Sequence, residues 1–408
     1  MIRGKFTKVA MYEGHPNWEQ CIGRKDPLYV KKEDIRSEFN RDYNRILHSK
    51  AYRRLKHKTQ VFMATGNDHI CTRIEHVNHV ASVSYSIANY LGLNHELTSA
   101  IALGHDIGHA PFGHDGESVL RTITKEKIGE SFWHEKNSLH FADNLETLPD
   151  LYGKQQNLIL TYAVRDGIIS HCGEVEEQAI SPRNEYIELE QIEKPNQYAP
   201  YTWEGCVVKI ADKISYLGRD IEDALTLKIL NRDQLKELKD ILDKTVKVRL
   251  RAINNTALMH NFIINLCQMS NPDNGIRFSD EYLKLINAIK DFNYKNIYLH
   301  PRLNYFLSYS ELIINSIFDA LDKMYNPSNQ LKEFAKYQNI YPALIGSFSY
   351  WITKYSDLDL TTRKIKKFEN HFVYMPSVKK DYQKAIIDYI SSMTDQFAIK
   401  VFNELIKF

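Results

Sequence analysis

The sequence predicts a mainly α-helical protein, and three observations support this fold class. Apolar residues recur every three or four positions in long segments, most clearly in ISYLGRDIEDAL, SELIINSIFDALDKMY and KAIIDYISSMTDQFAIKVFNELI. Only 17 Gly and 12 Pro interrupt the 408 residues. No series of segments alternates apolar and polar residues, as consecutive strands would. We therefore expect an all-α fold with at most a small β-hairpin.

The composition is typical of a globular protein that can bury a large core, with 43% hydrophobic and 25% charged residues. The net charge of +2 does not indicate a nucleic-acid-binding protein. Residues 1–60 nevertheless carry 15 Lys or Arg against 7 Asp or Glu. We interpret this excess first as a solvated surface, with phosphate binding as the alternative.

The five cysteines are scattered and form no C-x-x-C pair, so neither a disulfide framework nor a structural zinc site is expected. Reduced cysteines fit a cytoplasmic protein. The N-terminus lacks the apolar segment of a signal peptide, and no window of 18 residues is both apolar and uncharged. We therefore expect no membrane partner.

The chain divides into three regions by composition. Residues 1–33 predict an irregular arm, 34–225 hold the chemical motifs, and 226–408 predict further helices that pack on this core. Within the core, residues 170–200 break the helical pattern at SPRN and EKPNQ, and 174–193 hold seven Glu against one Arg. That segment is expected to be an exposed excursion, with a small hairpin as one form.

Histidines are concentrated in one part of the core, where nine of the 16 lie between positions 69 and 140. The segment ELTSAIALGHDIGH predicts an amphipathic helix from about residue 96, with His105 and Asp106 in its last turn. Pro111 and the nearby glycines then end the helix. Imidazole and carboxylate groups beside such a turn suit a divalent metal with an open coordination position.

Two other predicted helices carry residues that suit the same site. TRIEHVNHVASVSYSIANYL places His76 and His79 on one face, with Arg73 three residues before His76. VVKIADKISYLGRDIEDAL places Asp212 after an apolar run, where an unpaired charge is costly. Alone, each has an ordinary explanation as a core histidine or a salt-bridge partner. Together, in this order along the chain, they predict a metal site.

These motifs resemble those of the HD-domain phosphohydrolases, and among them those of the deoxynucleoside triphosphate (dNTP) triphosphohydrolases. The resemblance covers about residues 38–225, through FNRDYNRILHS, RRL, KTQVF, TRIEH, GHDIGHAPFGH and ADKISY. It implies an all-α HD fold with additional C-terminal helices. It also implies a metal-dependent hydrolase that converts a dNTP, with dGTP among the expected substrates, to deoxynucleoside and inorganic triphosphate by attack at the α-phosphorus.

The resemblance also implies roles for individual residues. The metal ligands would be His76, His105, Asp106 and Asp212. The catalytic residues would be His114, the Glu117 paired with it, and His134 near the phosphates. Substrate contacts would come from Arg53, Gln60, Val61, Arg73, Lys213, Tyr216, Asp220 and Tyr309. On a helix, Lys213, Tyr216 and Asp220 would form one stripe beside Asp212, whereas His79 departs from the family pattern.

The metal is expected to be Mg²⁺ or Mn²⁺, and Fe²⁺, Zn²⁺, Co²⁺ or Ni²⁺ also fits these donors. The resemblance implies a homo-oligomer, either a tetramer or a hexamer. A nucleotide activator and single-stranded nucleic acid are two further partners that the sequence allows.

The sequence is compatible with two alternative functions. The first is another HD phosphohydrolase, such as a nucleoside monophosphatase or a (p)ppGpp or cyclic-dinucleotide hydrolase. The second is a non-catalytic scaffold that senses nucleotides or binds nucleic acid. Inorganic triphosphate as a product would distinguish the expected function from the first alternative.

Overall fold

A computed structural model describes residues 3–29, 33–63, 67–172, 179–245 and 255–407, and these are mainly helical, as the sequence predicts. In chain order the helices are α1 (Trp18–Ile22), α2 (Glu38–His48), α3 (Lys50–Arg54), α4 (Arg73–Leu91), α5 (His95–Gly104), α6 (Gly113–Ile128), α7 (His134–His140), α8 (Tyr162–Ser170), α9 (Trp203–Ser215), α10 (Leu217–Thr226), α11 (Arg232–Thr245), α12 (Asn255–Met269), α13 (Asp280–Asn293), α14 (Pro301–Lys323), α15 (Gln330–Tyr337), α16 (Pro342–Tyr355), α17 (Leu360–Ile365), α18 (Lys379–Ser391) and α19 (Asp395–Ile406). Short 3₁₀ turns cover Leu55–His57 and Leu189–Gln191, and π-helical turns cover Phe141–Leu145 and Tyr294–Tyr298.

The described strands are short and form two antiparallel pairs. They are β1 (Thr147–Pro149), β2 (Gln155–Asn157), β3 (Ala179–Ile180) and β4 (Ile276–Arg277). β1 and β2 form a hairpin, with Thr147 opposite Asn157. β3 lies in the segment expected to be an excursion, but it pairs with the distant β4 rather than with a neighbour. Residues 173–178 of that segment lie outside the described residues.

The chain forms two compact units that are interleaved in sequence. The first unit comprises Met1–Asn44, Val61–His105 and Leu160–Asn304. The second unit comprises Arg45–Gln60, Asp106–Ile159 and Tyr305–Phe408. The predicted division into arm, core and C-terminal region follows consecutive stretches of sequence, and it stays a prediction. The chain passes from the first unit to the second between His105 and Asp106.

In the first unit, α4 packs against α5 and α9. A capping box begins α4, because the backbone N–H of Thr72 donates to Glu75 Oε2 at 2.7 Å. The helix ends at Gly92, whose φ of +82° favours glycine. A Cβ at Gly92 would lie 2.8 Å from the Cα of Gly4, so the N-terminal segment packs directly on this turn.

Buried acids anchor the N-terminal segment within the first unit. Glu204, near the start of α9, accepts the backbone N–H groups of Met11 and Asn94 through the same oxygen, at 2.9 Å each. Arg24 pairs with Asp42 at 2.6 Å. The described part of the expected irregular arm is therefore fixed to the unit by polar contacts.

In the second unit, α6 packs against α18 and buries Val119, Leu120 and Ile123. This unit also buries the cation of Lys354, whose Nζ donates to Thr147 Oγ1 at 2.9 Å. In the part of the chain that the structure describes, no helix is both long enough and apolar enough to cross a membrane.

Replacing Glu204 with Leu is expected to destabilise the protein, because two buried backbone N–H groups would lose their acceptor. Each such loss costs about 1–3 kcal/mol. Glu204→Gln is the matched control, because it retains an acceptor oxygen. Its free energy of unfolding should lie within about 1 kcal/mol of the wild-type value. Urea unfolding measures both, and equal stability of the two variants would contradict the anchoring role.

The buried Lys354 predicts a pH-dependent contribution to stability. Burial lowers the pKa of Lys354 to about 8, although the charge of Glu146 raises it. The charges of Lys50, Arg54 and Arg363 lower this pKa further. Because an unfolded lysine keeps its proton to higher pH, the unfolded state binds more protons above pH 8, and folding stability rises with pH there.

The variant Lys354→Met lacks this titration and tests the prediction. The stability of the wild type relative to the variant should therefore increase between pH 7 and pH 9.5. Urea unfolding at the two pH values measures this difference, in which the other lysines cancel. A difference that stays constant across this range would contradict the prediction.

Candidate active site

Three of the expected metal ligands meet in the first unit. His76 lies in the first turn of α4, His105 directly follows α5, and Asp212 lies in α9. Asp212 Oδ1 is 2.9 Å from His76 Nε2 and 3.7 Å from His105 Nε2. The three residues can offer ligand atoms that all lie within 4.8 Å of one another. The packing of α4, α5 and α9 thus assembles an N/O cluster from distant parts of the sequence.

A backbone contact fixes the orientation of His105. Its Nδ1 lies 2.7 Å from the carbonyl oxygen of Ala102, which can only accept a hydrogen bond. Nδ1 therefore donates, and in the neutral ring Nε2 presents its lone pair toward Asp212. A nitrogen lone pair beside a carboxylate oxygen is a donor set that fits a divalent cation.

Asp212 is charged in this setting. Burial raises its pKa, but the hydrogen bond from His76 and the neighbouring imidazoles outweigh burial and hold the pKa well below its ordinary value. The Asp212 side chain is still 25% exposed. The cluster therefore has a deprotonated carboxylate with access to solvent.

His171 is a neighbour of this cluster that the sequence did not single out. It follows α8, and its Nδ1 lies 2.7 Å from the carbonyl oxygen of Ile168, as His105 does with Ala102. Its ring centroid is 4.9 Å from that of His105. The sequence offered one weak signal, an isolated histidine at the start of the segment 170–200, where the helical pattern breaks.

A second cluster lies in the second unit and begins at Asp106. His134 Nε2 is 3.9 Å from Asp106 Oδ1, and His134 Nδ1 is 3.1 Å from Glu117 Oε2. His114 Nδ1 lies 3.4 Å from the same Glu117 oxygen. The His109 ring stacks on His134 with centroids 4.6 Å apart. Glu117 thus lies between two imidazoles, in a chain of contacts that leads back to Asp106.

The start of α6 sets this arrangement. The helix begins at Gly113, so His114 and Glu117 fall three residues apart on one face, as the sequence predicts. The His114 side chain is 68% exposed, whereas that of Glu117 is 4% exposed. An accessible imidazole is therefore oriented by a buried carboxylate.

The charges in this cluster follow from its contacts. Burial raises the pKa of Glu117, but the charge of His134 and the contact with His114 bring it well below its ordinary value. Burial lowers the pKa of His134, and the charges of Glu135, Glu117 and Asp106 more than reverse this, so that the pKa is about 10. The neighbouring carboxylates of Glu117 and Asp106 thus favour the protonated form of His134.

The expected substrate residues of the first unit lie near His76 or Asp212 in the chain. Arg73, the first residue of α4, is 2% exposed. The expected stripe of Lys213, Tyr216 and Asp220 is interrupted, because α9 ends at Ser215 and α10 begins at Leu217, with Tyr216 between them. Lys213 and Tyr216 are half-buried, and Asp220 is buried.

Asp220 has a partner that the sequence did not indicate. The hydroxyl of Tyr298, in the π-helical turn Tyr294–Tyr298, donates to Asp220 Oδ2. Burial raises the pKa of Asp220 to about 7, although this hydrogen bond lowers it. A π-helical turn cannot be read from apolar periodicity, and such turns are frequent at functional sites.

The remaining expected contacts differ in exposure. Gln60 is buried and Val61 is half-buried. Tyr309 is 38% exposed, and its ring centroid lies 6.4 Å from that of Phe112. Arg53 is exposed and donates to the carbonyl oxygen of His48 at 2.8 Å.

The helix expected to carry His105 and Asp106, the HD pair, ends slightly earlier than expected. His105 and Asp106 were predicted in its last turn, but α5 ends at Gly104 and both residues lie in the turn that follows. His79, on the face of His76, is half-buried, and burial lowers its pKa.

Comparison with known proteins identifies two matching families. A family described as the HD domain matches residues 73–217, and one described as a phosphohydrolase-associated domain matches residues 359–404. Similar proteins include a deoxyguanosinetriphosphate triphosphohydrolase-like protein of Caldanaerobacter subterraneus subsp. tengcongensis, 31% identical over 92% of this chain and 86% of that protein. Those of Desulfatibacillum aliphaticivorans and Rickettsia prowazekii are 35% and 32% identical, over 70% and 91% of this chain and 73% and 92% of theirs.

The first-unit cluster predicts metal binding that can be measured without turnover. Adding Mn²⁺ to metal-free protein should raise the Tm, because an ion that binds only the folded state stabilises it by about 2.7 kcal/mol at a hundredfold excess over Kd. His76→Ala and Asp212→Ala should abolish the increase. His79→Ala, one turn further along α4, is the matched control and should retain it. An unchanged increase in both ligand variants would contradict the assignment.

Proposed function

Because the chain belongs to the HD-domain family of deoxyguanosinetriphosphate triphosphohydrolase-like proteins, we propose that it hydrolyses dNTPs to deoxynucleoside and inorganic triphosphate in a metal-dependent reaction. dGTP is among the expected substrates. The observation that carries the proposal is the position of the HD pair. His105 belongs to the N/O cluster of the first unit, and Asp106, the next residue in the chain, begins the acid and imidazole cluster of the second.

The proposed metal ligands are His76, His105, Asp106 and Asp212. This donor set of two imidazoles and two carboxylates contains no thiolate, which supports Mg²⁺ or Mn²⁺ and also admits Fe²⁺, Zn²⁺, Co²⁺ or Ni²⁺. When bound, a divalent ion polarises a phosphoryl oxygen and lowers the pKa of coordinated water. The low pKa of Asp212 and the fixed orientation of His105 support their place in this set.

His114 is the proposed general acid. Hydrolysis at the α-phosphorus breaks its bond to the 5′-oxygen, and that oxygen must take up a proton as it leaves. The exposed imidazole of His114 can supply this proton, while Glu117 orients the ring through the Nδ1 side. His134, in contact with the same carboxylate, is proposed to lie near the phosphates.

The proposed substrate contacts divide between phosphate and sugar. Arg73 lies three residues before His76, and Lys213 directly follows Asp212. These positions support a role for both cations at the triphosphate. Arg53 is proposed as a further cation for the phosphates. The proposed sugar contacts are Gln60, Val61, Tyr216, Asp220 and Tyr309.

The wider setting follows the family resemblance. We propose a cytoplasmic homo-oligomer, either a tetramer or a hexamer. A nucleotide activator and single-stranded nucleic acid are proposed as further ligands to test, the latter because of the basic composition of residues 1–60.

The products of the reaction test the proposed function. Purified protein incubated with each dNTP and Mn²⁺ or Mg²⁺ should release inorganic triphosphate and deoxynucleoside, and should act on dGTP in preference to GTP. Asp106→Asn should abolish turnover. Asp115→Asn, in the second His-Asp pair of the chain, is the matched control and should stay within a fewfold of the wild type.

Ion chromatography of the products decides between the proposed function and its two alternatives. Release of orthophosphate or pyrophosphate in place of triphosphate would contradict the proposal and indicate a different HD phosphohydrolase. Absence of turnover with every nucleotide, despite metal binding, would favour a non-catalytic scaffold. Equal rates with dGTP and GTP would contradict the assignment to deoxynucleotides.

A further inference from the structure

We propose that Asp395, the first residue of α19, is a positioning residue that sets the active-site positions of Gln60 and His114. This inference rests on the proposed function, in which Gln60 contacts the sugar and His114 is the general acid. Asp395 lies within the region that matches the phosphohydrolase-associated domain. All the residues that carry the inference belong to the second unit.

The carboxylate of Asp395 joins two segments that are far apart in the sequence. Its Oδ2 accepts the backbone N–H of Thr59 at 2.8 Å and the Thr59 hydroxyl at 2.6 Å. Its Oδ1 accepts the backbone N–H of Phe112 at 2.8 Å. Thr59 directly precedes Gln60, and Phe112 lies two residues before His114. One buried acid therefore fixes the backbone beside both functional side chains.

The contact with Phe112 matters because this residue has an unfavourable backbone conformation. Phe112 has a φ of +64°, in the left-handed region that bulky side chains avoid. Such conformations persist only where the surroundings enforce them, and they cluster at functional sites. Phe112 is also the N-cap of α6, so its conformation sets where the helix begins and where His114 projects.

The turn before α6 has little room to adopt another form. A Cβ at Gly116 would lie 1.8 Å from the carbonyl oxygen of Pro111, so the turn packs flat against the helix. The ring of Phe112 lies edge-on to those of Phe306 and Tyr309, at 6.1 and 6.4 Å between centroids. The residue that Asp395 holds thus also contacts the aromatic residue proposed to lie beside the sugar.

A neighbouring contact holds the other end of the same turn. Lys58 is 1% exposed, and its Nζ donates to the carbonyl oxygens of His109 and Ser391, the latter at 2.8 Å. Ser391 ends α18, just before the turn that leads into Asp395. The junction of α18 and α19 therefore fixes the backbone at His109 as well as at Phe112.

The number and type of donors explain why a carboxylate is needed. Three donors converge on Asp395, and both of its oxygens accept. In the Asp395→Asn variant, one acceptor oxygen would be replaced by an N–H₂ group that faces other donors, so at least one segment must move. Movement of Gln60 would affect sugar discrimination, and movement of His114 would affect the chemical step.

Steady-state kinetics of Asp395→Asn test the proposal, with the dNTP that the wild type hydrolyses best and its ribonucleotide counterpart. We expect kcat to fall roughly ten- to hundredfold, as displacement of reacting groups by about 1 Å can cause. The ratio of kcat/KM for dNTP over NTP should fall as well, while the Mn²⁺-induced increase in Tm is retained. A merely structural role would reduce the amount of active protein without changing that ratio.

Asp359→Asn is the matched control. Asp359 lies in the same matched region and accepts the backbone N–H of Thr362 at 2.9 Å as the N-cap of α17. Among the described residues, its hydrogen bond is to Thr362 and not to Thr59 or Phe112. The kcat and the dNTP/NTP ratio of kcat/KM should therefore stay within twofold of the wild type.

Thr59 provides a second test that holds if Asp395→Asn does not fold. Thr59→Val removes the hydroxyl donor at similar volume and should lower the dNTP/NTP ratio. Thr59→Ser restores the hydroxyl and should rescue it. If both Asp395→Asn and Thr59→Val keep the wild-type dNTP/NTP ratio of kcat/KM, the positioning role of Asp395 is overturned while the proposed function still stands. A wild type that hydrolyses no dNTP would instead overturn the proposed function, and the inference with it.

Discussion

In the first unit the carboxylate of Asp212 faces the imidazoles of His76 and His105, and the proposed metal site depends on this contact. A charge beside an apolar helix face is costly unless a partner compensates it. These partners come from α4 and from the turn after α5, so the three elements must pack together for the charge to be satisfied. The same convergence of N and O donors is what a divalent ion requires. Packing and metal chemistry therefore impose one constraint on this part of the chain.

In the second unit, the carboxylate of Glu117 likewise faces two imidazoles. This buried carboxylate lies between His114 and His134, and His114 and Glu117 share one helical face because α6 begins at Gly113. That start depends on the left-handed conformation of Phe112, which Asp395 holds through its backbone N–H. In both units, a half-buried or buried acid thus contacts two histidines that the proposed reaction uses. The carboxylates help to hold the imidazoles in place, and the imidazole nitrogen atoms take part in the proposed chemistry.

Local features of the site could be predicted from the sequence because they depend on short-range rules. The capping box at Thr72 and Glu75 fixes the start of α4, and the spacing of His114 and Glu117 places them on one helical face. Other features depend on packing between distant segments and leave no local pattern. Asp395 contacts Thr59 across 336 positions in the sequence, and Tyr298 reaches Asp220 from a π-helical turn. The interleaving of the two units likewise cannot be read from composition along consecutive stretches.

The proposed ligands His76, His105, Asp106 and Asp212 would together hold one divalent ion. Anomalous diffraction from crystals grown with Mn²⁺ tests this arrangement most directly, because the signal locates the ion independently of any activity. We expect one strong peak, about 2.0–2.3 Å from an imidazole nitrogen of His76 and of His105 and from a carboxylate oxygen of Asp106 and of Asp212. A peak among His109, His114, Glu117 and His134 instead, or none at either cluster, would contradict it.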